Sequence, residues 1–111
     1  MVRVKQGSIL KLSLDPKLGH EQAGYRPVVV VSGDQFNSIS KNMAVICTIS
    51  TTSHKYPLHV ELDDRTKTKG VIQCDHINAL DIKYRGYKYI EDVPKDVLAE
   101  VLKKIEALLN D

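Results

Sequence analysis

Val28-Val29-Val30-Val31-Ser32, "VVVVS", decides how this 111-residue chain folds. Four β-branched residues in succession suit a strand, and a run without polar alternation needs cover on both faces. Upstream, "SILKLSL" (8–14) alternates, with Leu10, Leu12 and Leu14 on one face and Lys11 and Ser13 on the other. That is the period of a half-buried strand. Downstream, "GDQFNSISKN" (33–42) is polar with turn residues around Phe36, and has room for a short helix. "MAVICTIS" (43–50) reads as a second buried strand and runs into the hydroxyl series Ser50-Thr51-Thr52-Ser53. "YPLHVEL" (56–62) alternates again, placing Leu58, Val60 and Leu62 inward and His59 and Glu61 in solvent. A charged connection, "DDRTKTKG" (63–70), leads to a strand opened by "VIQCDHINAL" (71–80), and "YKYIEDV" (87–93) suits a last short strand.

The C-terminus changes period. Val97, Leu98, Val101, Leu102, Ile105, Leu108 and Leu109 recur at helical spacing, with Asp92 as expected cap and Pro94 in the first turn. Five or six strands with short connections and one C-terminal helix, without a parallel βαβ rhythm, predict an α+β, mostly β fold. The expected architecture is an antiparallel, barrel-like sheet with the helix packed on it. One domain over 1–111 is expected at this length.

Composition excludes little else. Hydrophobic residues make up 42% and charged residues 27%, ordinary for a soluble globular chain. No apolar run approaches the ~20 residues that span a bilayer. "MVRVKQGSIL" lacks a signal-peptide core, so the expectation is a cytoplasmic protein without a membrane partner. Cys47 and Cys74 lie in apolar runs, form no CxxC motif and read as buried free thiols. A net charge of +2 permits a polyanionic partner without demanding one.

The reactive side chains gather beside the valine run, in "GHEQAGYRP" (19–27). Arg26 precedes Pro27 at the mouth of the strand. It suits either an ion pair with Glu21 or a fixed cation whose guanidinium fork faces phosphate oxygens. His20 is a loop spacer or an acid–base group near neutral pH. His54 sits in a polar loop. Ser50, Thr51 and Thr52 close a buried strand, as turn-forming hydroxyls or as donors to a developing oxyanion. Asp75 interrupts an apolar strand between Cys74 and His76, and an inward carboxylate there needs a partner. Nothing has zinc-finger spacing, so no metal and no cofactor are expected. "KYRGYKY" (83–89) can stack on bases and neutralise phosphates, but reads equally as an exposed strand, the preferred reading. No nucleophile elbow, P-loop or paired-carboxylate motif is present. A cation, hydroxyls, an imidazole and a carboxylate without a covalent nucleophile suit a reaction whose nucleophile belongs to the substrate.

"GSILKLSLDPKLGHEQAGYRPVVVVS" resembles the N-terminal signature of the MazF/PemK (Kid) family of toxin–antitoxin endoribonucleases. "CTISTTSHKYPLHVEL", "GVIQCDHINALD" and "VPKDVLAEVLKKIEALL" follow in the family's order, so the likeness spans essentially the whole chain. The resemblance implies an SH3-like barrel of the MazF/CcdB type, a homodimer, and metal-independent cleavage of single-stranded RNA through the neighbouring 2′-hydroxyl. It also implies an acidic, largely extended antitoxin chain over the RNA groove, and DNA binding by the toxin–antitoxin complex. The family's arginine falls on Arg26 and its Thr or Ser on Ser50. The Kid-like branch has His at His20 and Asp at Asp75, both implicated in proton transfer. That branch carries an Arg where this chain has Gln73, and the other branch has Ser where this chain has His20. The likeness sets Glu21, Gln22, Thr51, Thr52, His76 and Asn78 at the substrate, and base specificity in loops such as 15–25, 51–56 and 63–70. CcdB-type gyrase poisons share the fold but resemble each other in a Trp near the C-terminus. This chain has no Trp and ends "EALLND".

Overall fold

A computed structural model describes residues 4–15, 24–51 and 56–110. One antiparallel sheet runs β4-β5-β3-β2-β1-β6. Its strands are β1 (Ser8–Ser13), β2 (Tyr25–Val30), β3 (Met43–Ser50), β4 (His59–Glu61), β5 (Val71–Asp81) and β6 (Lys88–Asp92). Three helices join them: α1 (Asp34–Ser40), the single turn α2 (Ile82–Arg85) and the C-terminal α3 (Lys95–Leu109).

The valine run lies in an inner strand, and apolar material covers both of its faces as expected. Val29 and Val31 pack with Ile9, Cys47, Ile49, Ile72 and the α3 residues Val97, Val101 and Ile105. Val28 and Val30 pack the other way, on Leu10, Leu12, Ala44, Ile46, Leu80 and Ile82. Each fully buried valine contributes about 1.5–3 kcal/mol relative to exposure. The β1 alternation holds for Leu10 and Leu12, while Ile9 supplies the opposite core.

Three local expectations change. The strand holding the valines begins at Tyr25, because Arg26 and Pro27 pair with Leu12 and Lys11 of β1. The β2–β3 ladder starts only at Val28, so Arg26 and Pro27 have a strand partner on one side alone. That edge-like stretch tolerates a residue lacking an N–H. Next, 83–89 is not one exposed strand. Asp81 accepts the Tyr84 amide and starts a helical turn, which ends at Gly86 with φ +74°. The Arg85 guanidinium then ties this turn to the β1 end, donating to the Ser13 and Asp15 carbonyls at 2.9 Å each. Finally, α3 begins later than expected: Pro94 is its N-cap and Asp92 belongs to β6. Leu108 and Leu109, at the end of the helical stripe, are exposed.

The connection 62–70 is held by charge. Arg65 reaches both Asp63 and Asp96 of α3, with contacts of 2.9 and 2.8 Å. Hydrogen bonds from Arg65 lower the Asp63 carboxyl to about 2. Glu91 on β6 accepts the Lys67 amide, the Thr68 amide and the Thr68 hydroxyl. Burial alone would raise Glu91, but these donors outweigh it and hold the carboxyl below its ordinary 4.5. A depressed carboxyl stabilises the fold above its unfolded value and loses that contribution as pH falls through the folded one. Glu91→Gln should therefore be less stable than the native chain at pH 7, by about 1 kcal/mol after solvent screening. Thermal unfolding near pH 3 should bring the two proteins together. An unchanged gap there would refute the ionic anchoring of this loop.

Candidate active site

The face carrying Val28 and Val30 changes character toward one end of the sheet. Val28 stands opposite Thr48, and Val30 opposite Ile46. Arg26 precedes this ladder near the start of β2, and Ser50 follows it at the end of β3. Arg26 is half-buried at the strand start. Ser50 is only 5% exposed, and Thr51 beside it is exposed. Ser50 pairs on its other side with Val71 of β5. Gly70 makes that approach possible: at φ +122°, a Cβ there would lie 2.2 Å from the Ser50 carbonyl oxygen. Any larger residue would have to push apart the end of β3 and the start of β5.

The third strand contributes through an irregularity. The β3–β5 ladder steps from Cys47↔Ile77 directly to Thr48↔Gln73. One step on β3 therefore matches four on β5, and Cys74, Asp75 and His76 form a three-residue bulge. Bulges re-aim side chains and recur beside active sites. Cys74 turns into the core, whereas Asp75 and His76 keep 27% and 31% of their side chains exposed. The His76 Nε2 lies 4.0 Å from one Asp75 oxygen. The other oxygen, Oδ1, is buried with no hydrogen-bond partner among the described residues. The partner required by an inward Asp75 is thus only half supplied. Asn78, past the bulge, is exposed.

Several sequence candidates separate from this group. His20, Glu21, Gln22, Thr52 and His54 lie outside the described residues. His59 is not simply solvated; it is half-buried, its ring 5.0 Å edge-on from that of Tyr56. Both cysteines are buried and free. Burial pushes Cys47 up to about 12 and Cys74 up to about 11, so neither is a thiolate nucleophile at neutral pH. Among the described residues no three His, Cys, Asp or Glu side chains group as a metal site. No described helix is long and apolar enough to cross a membrane. In 63–70, the Lys67 and Thr68 amides and the Arg65 side chain are committed to β6 and α3.

Sequence reading missed Thr48 in this neighbourhood and noted Gln73 only as a departure from the family's Arg. The Thr48 hydroxyl donates to the Gln73 Oε1 at 2.7 Å, and both residues are buried. The available signal was a polar residue flanked by apolar ones in each of two strands, "VICTI" and "VIQC". Arg26, Ser50 and the Asp75 bulge thus stand on three adjacent strands: a cation, a hydroxyl and a carboxylate on a rigid sheet.

Known proteins resemble this chain in sequence and in fold. The family model described as "PemK-like, MazF-like toxin of type II toxin-antitoxin system" matches residues 5–109. "Endoribonuclease PemK" of Escherichia coli is 36% identical over 110 residues, covering 96% of this chain and 83% of that protein. The crystal structure of MazF from Deinococcus radiodurans superposes with a TM-score of 0.89 at 33% identity, covering 96% of each chain. A chain of a MazE–MazF complex from the same organism gives a TM-score of 0.83 at 30% identity, over 95% of this chain and 94% of that one. With a family model matched over residues 5–109 and a relative 36% identical over 110 residues, this chain belongs to the PemK-like, MazF-like toxin family of type II toxin–antitoxin systems.

Proposed function

We propose that this toxin is an endoribonuclease that cuts single-stranded RNA with the substrate's own 2′-hydroxyl as nucleophile. The observation that carries the reading is the placement of Arg26, Ser50 and the Asp75 bulge on the neighbouring strands β2, β3 and β5. In the reaction the 2′-oxygen bonds to phosphorus and the P–O5′ bond breaks, leaving a 2′,3′-cyclic phosphate and a 5′-hydroxyl. A base takes the 2′-hydroxyl proton and an acid gives one to the departing 5′-oxygen.

Arg26 carries the negative charge that builds on the phosphorane oxygens. A guanidinium keeps its proton throughout the physiological range and presents a bidentate fork, so it stabilises charge rather than abstracting a proton. Ser50 donates to the scissile phosphate or orders the 2′-hydroxyl. Asp75 and His20 exchange the protons, and Glu21, Gln22, Thr51, Thr52, His76 and Asn78 contact the flanking nucleotides. Two copies of the chain form the working dimer. An acidic antitoxin segment competes with RNA for the same groove, ordering as it binds. A MazE–MazF complex among the similar structures supports the antitoxin partner.

The test is product chemistry. Incubated with single-stranded RNA in excess chelator, the protein should leave 5′ ends that ligate only after phosphorylation, opposite 2′,3′-cyclic phosphates. Ends bearing 5′-phosphate would overturn the proposed reaction.

A further inference from the structure

We propose that Thr48 and Gln73 are positioning residues, a buried clamp that aims Asp75 at the reacting atoms. The inference rests on the catalytic reading of Asp75 given above. A three-residue bulge has no ladder partner of its own on β3, so its direction depends on what fixes its ends. On one side the clamp holds Gln73, the last paired residue before the bulge, through the 2.7 Å bond from the Thr48 hydroxyl. The Cys74 amide then donates to the Leu58 carbonyl at 3.0 Å, and the Cys74 side chain is wholly buried. Asp75 is the next residue, so it is set down from two consecutive anchored positions.

A polar pair at this place is not what stability alone would select. Thr48 and Gln73 are 6% and 7% exposed, and on their face Thr48 stands across from Val28 and two residues from Ile46, both fully buried. Two apolar side chains of similar volume would fill the space with no buried polar atom to satisfy. What the polar pair adds is register. If β5 slipped by one residue, Ile72 or Cys74 would face Thr48, and both polar groups would be buried without each other. The same slip would move Asp75 along the sheet. Displacements of about 1 Å at a reacting group can cost ~10²-fold in rate. A bond remote from the phosphate thereby controls the chemistry through the placement of one carboxylate.

Kinetics of T48V, T48S, D75N, the double variant T48V/D75N and the all-apolar pair T48V/Q73L would decide the matter. T48V should fold and bind RNA with KM within about twofold of native, while kcat falls about 10–100-fold. T48S, which keeps the hydroxyl, should recover most of that loss. T48V/D75N should be no slower than D75N alone, because the clamp acts through Asp75. Should T48V fail to fold, T48V/Q73L serves in its place and should be well folded yet slow.

Native kcat in folded T48V or T48V/Q73L would overturn the clamp while leaving the role of Asp75 intact. So would a full further loss on adding T48V to D75N. Native kcat in D75N would remove the catalytic reading of Asp75 itself, and the clamp with it. That pattern is distinct from the failure of the clamp alone.

Discussion

Arg26→Ala should cut RNA ~10²–10³ times more slowly than the native toxin, with its fold and dimerisation unchanged. The expectation follows from where the strand holds the guanidinium. Arg26 lies in β2, paired with Leu12 and followed by three fully buried valines. The backbone beneath it is therefore fixed before substrate arrives, and a preorganised donor needs no reorganisation as charge develops. Half-burial at the strand start removes part of the water that would screen it, which strengthens its action on a phosphate. The substitution removes no core side chain, so thermal unfolding should stay close to native while kcat collapses. Arg26→Lys should recover little, because an ammonium cannot reproduce two parallel N–H···O bonds. A folded Arg26→Ala protein with native kcat would remove Arg26 from the chemistry.

Much of the scaffold supporting that residue was legible. Continuous apolar character in 28–31 and alternation in 8–14 report burial directly, since each side chain's face follows from a period of two. The helical stripe of α3 was equally direct. Its final residues, Leu108 and Leu109, nonetheless extend beyond the sheet they would cover and remain exposed.

What escaped was set by pairing rather than by periodicity. Pro27 reads as a break, yet β2 runs through it because β1 supplies a partner and β3 there does not. The Asp81 side chain caps a turn at 82–85 where alternating Lys and Tyr suggested a strand. His59 occupies an outward position by alternation, but the Tyr56 ring at the edge of the sheet covers it. The bulge at 74–76 was invisible for a deeper reason. Extra residues in one strand leave its composition unchanged, and only the register with the neighbour reveals them. Asp75 in an apolar strand was the single visible sign.

The candidate site divides the same way. Arg26, Ser50 and Asp75 came from residue type and family likeness, whereas their placement on three neighbouring strands comes from the sheet order. Thr48 carried no motif, and Gln73 was visible only as a departure from the family's Arg. Their significance lies in a contact between residues 25 positions apart.

A substrate with one 2′-deoxy nucleotide tests the central claim most directly. The proposed reaction has no nucleophile except the 2′-hydroxyl next to the scissile phosphate, since the buried thiols are held protonated near 11 and 12. In that reaction Arg26 and Ser50 orient and stabilise and Asp75 moves a proton; none of them replaces the missing oxygen. Removing that one atom should therefore abolish cleavage at the modified position, while deoxy substitution several nucleotides away leaves the rate within a few-fold of native. Binding should persist, because the phosphates and base faces that hold the strand are retained. An RNA protected at that single position, yet bound and cut normally when the deoxy nucleotide lies elsewhere, is the predicted result; cleavage at the deoxy position at the native rate would contradict it.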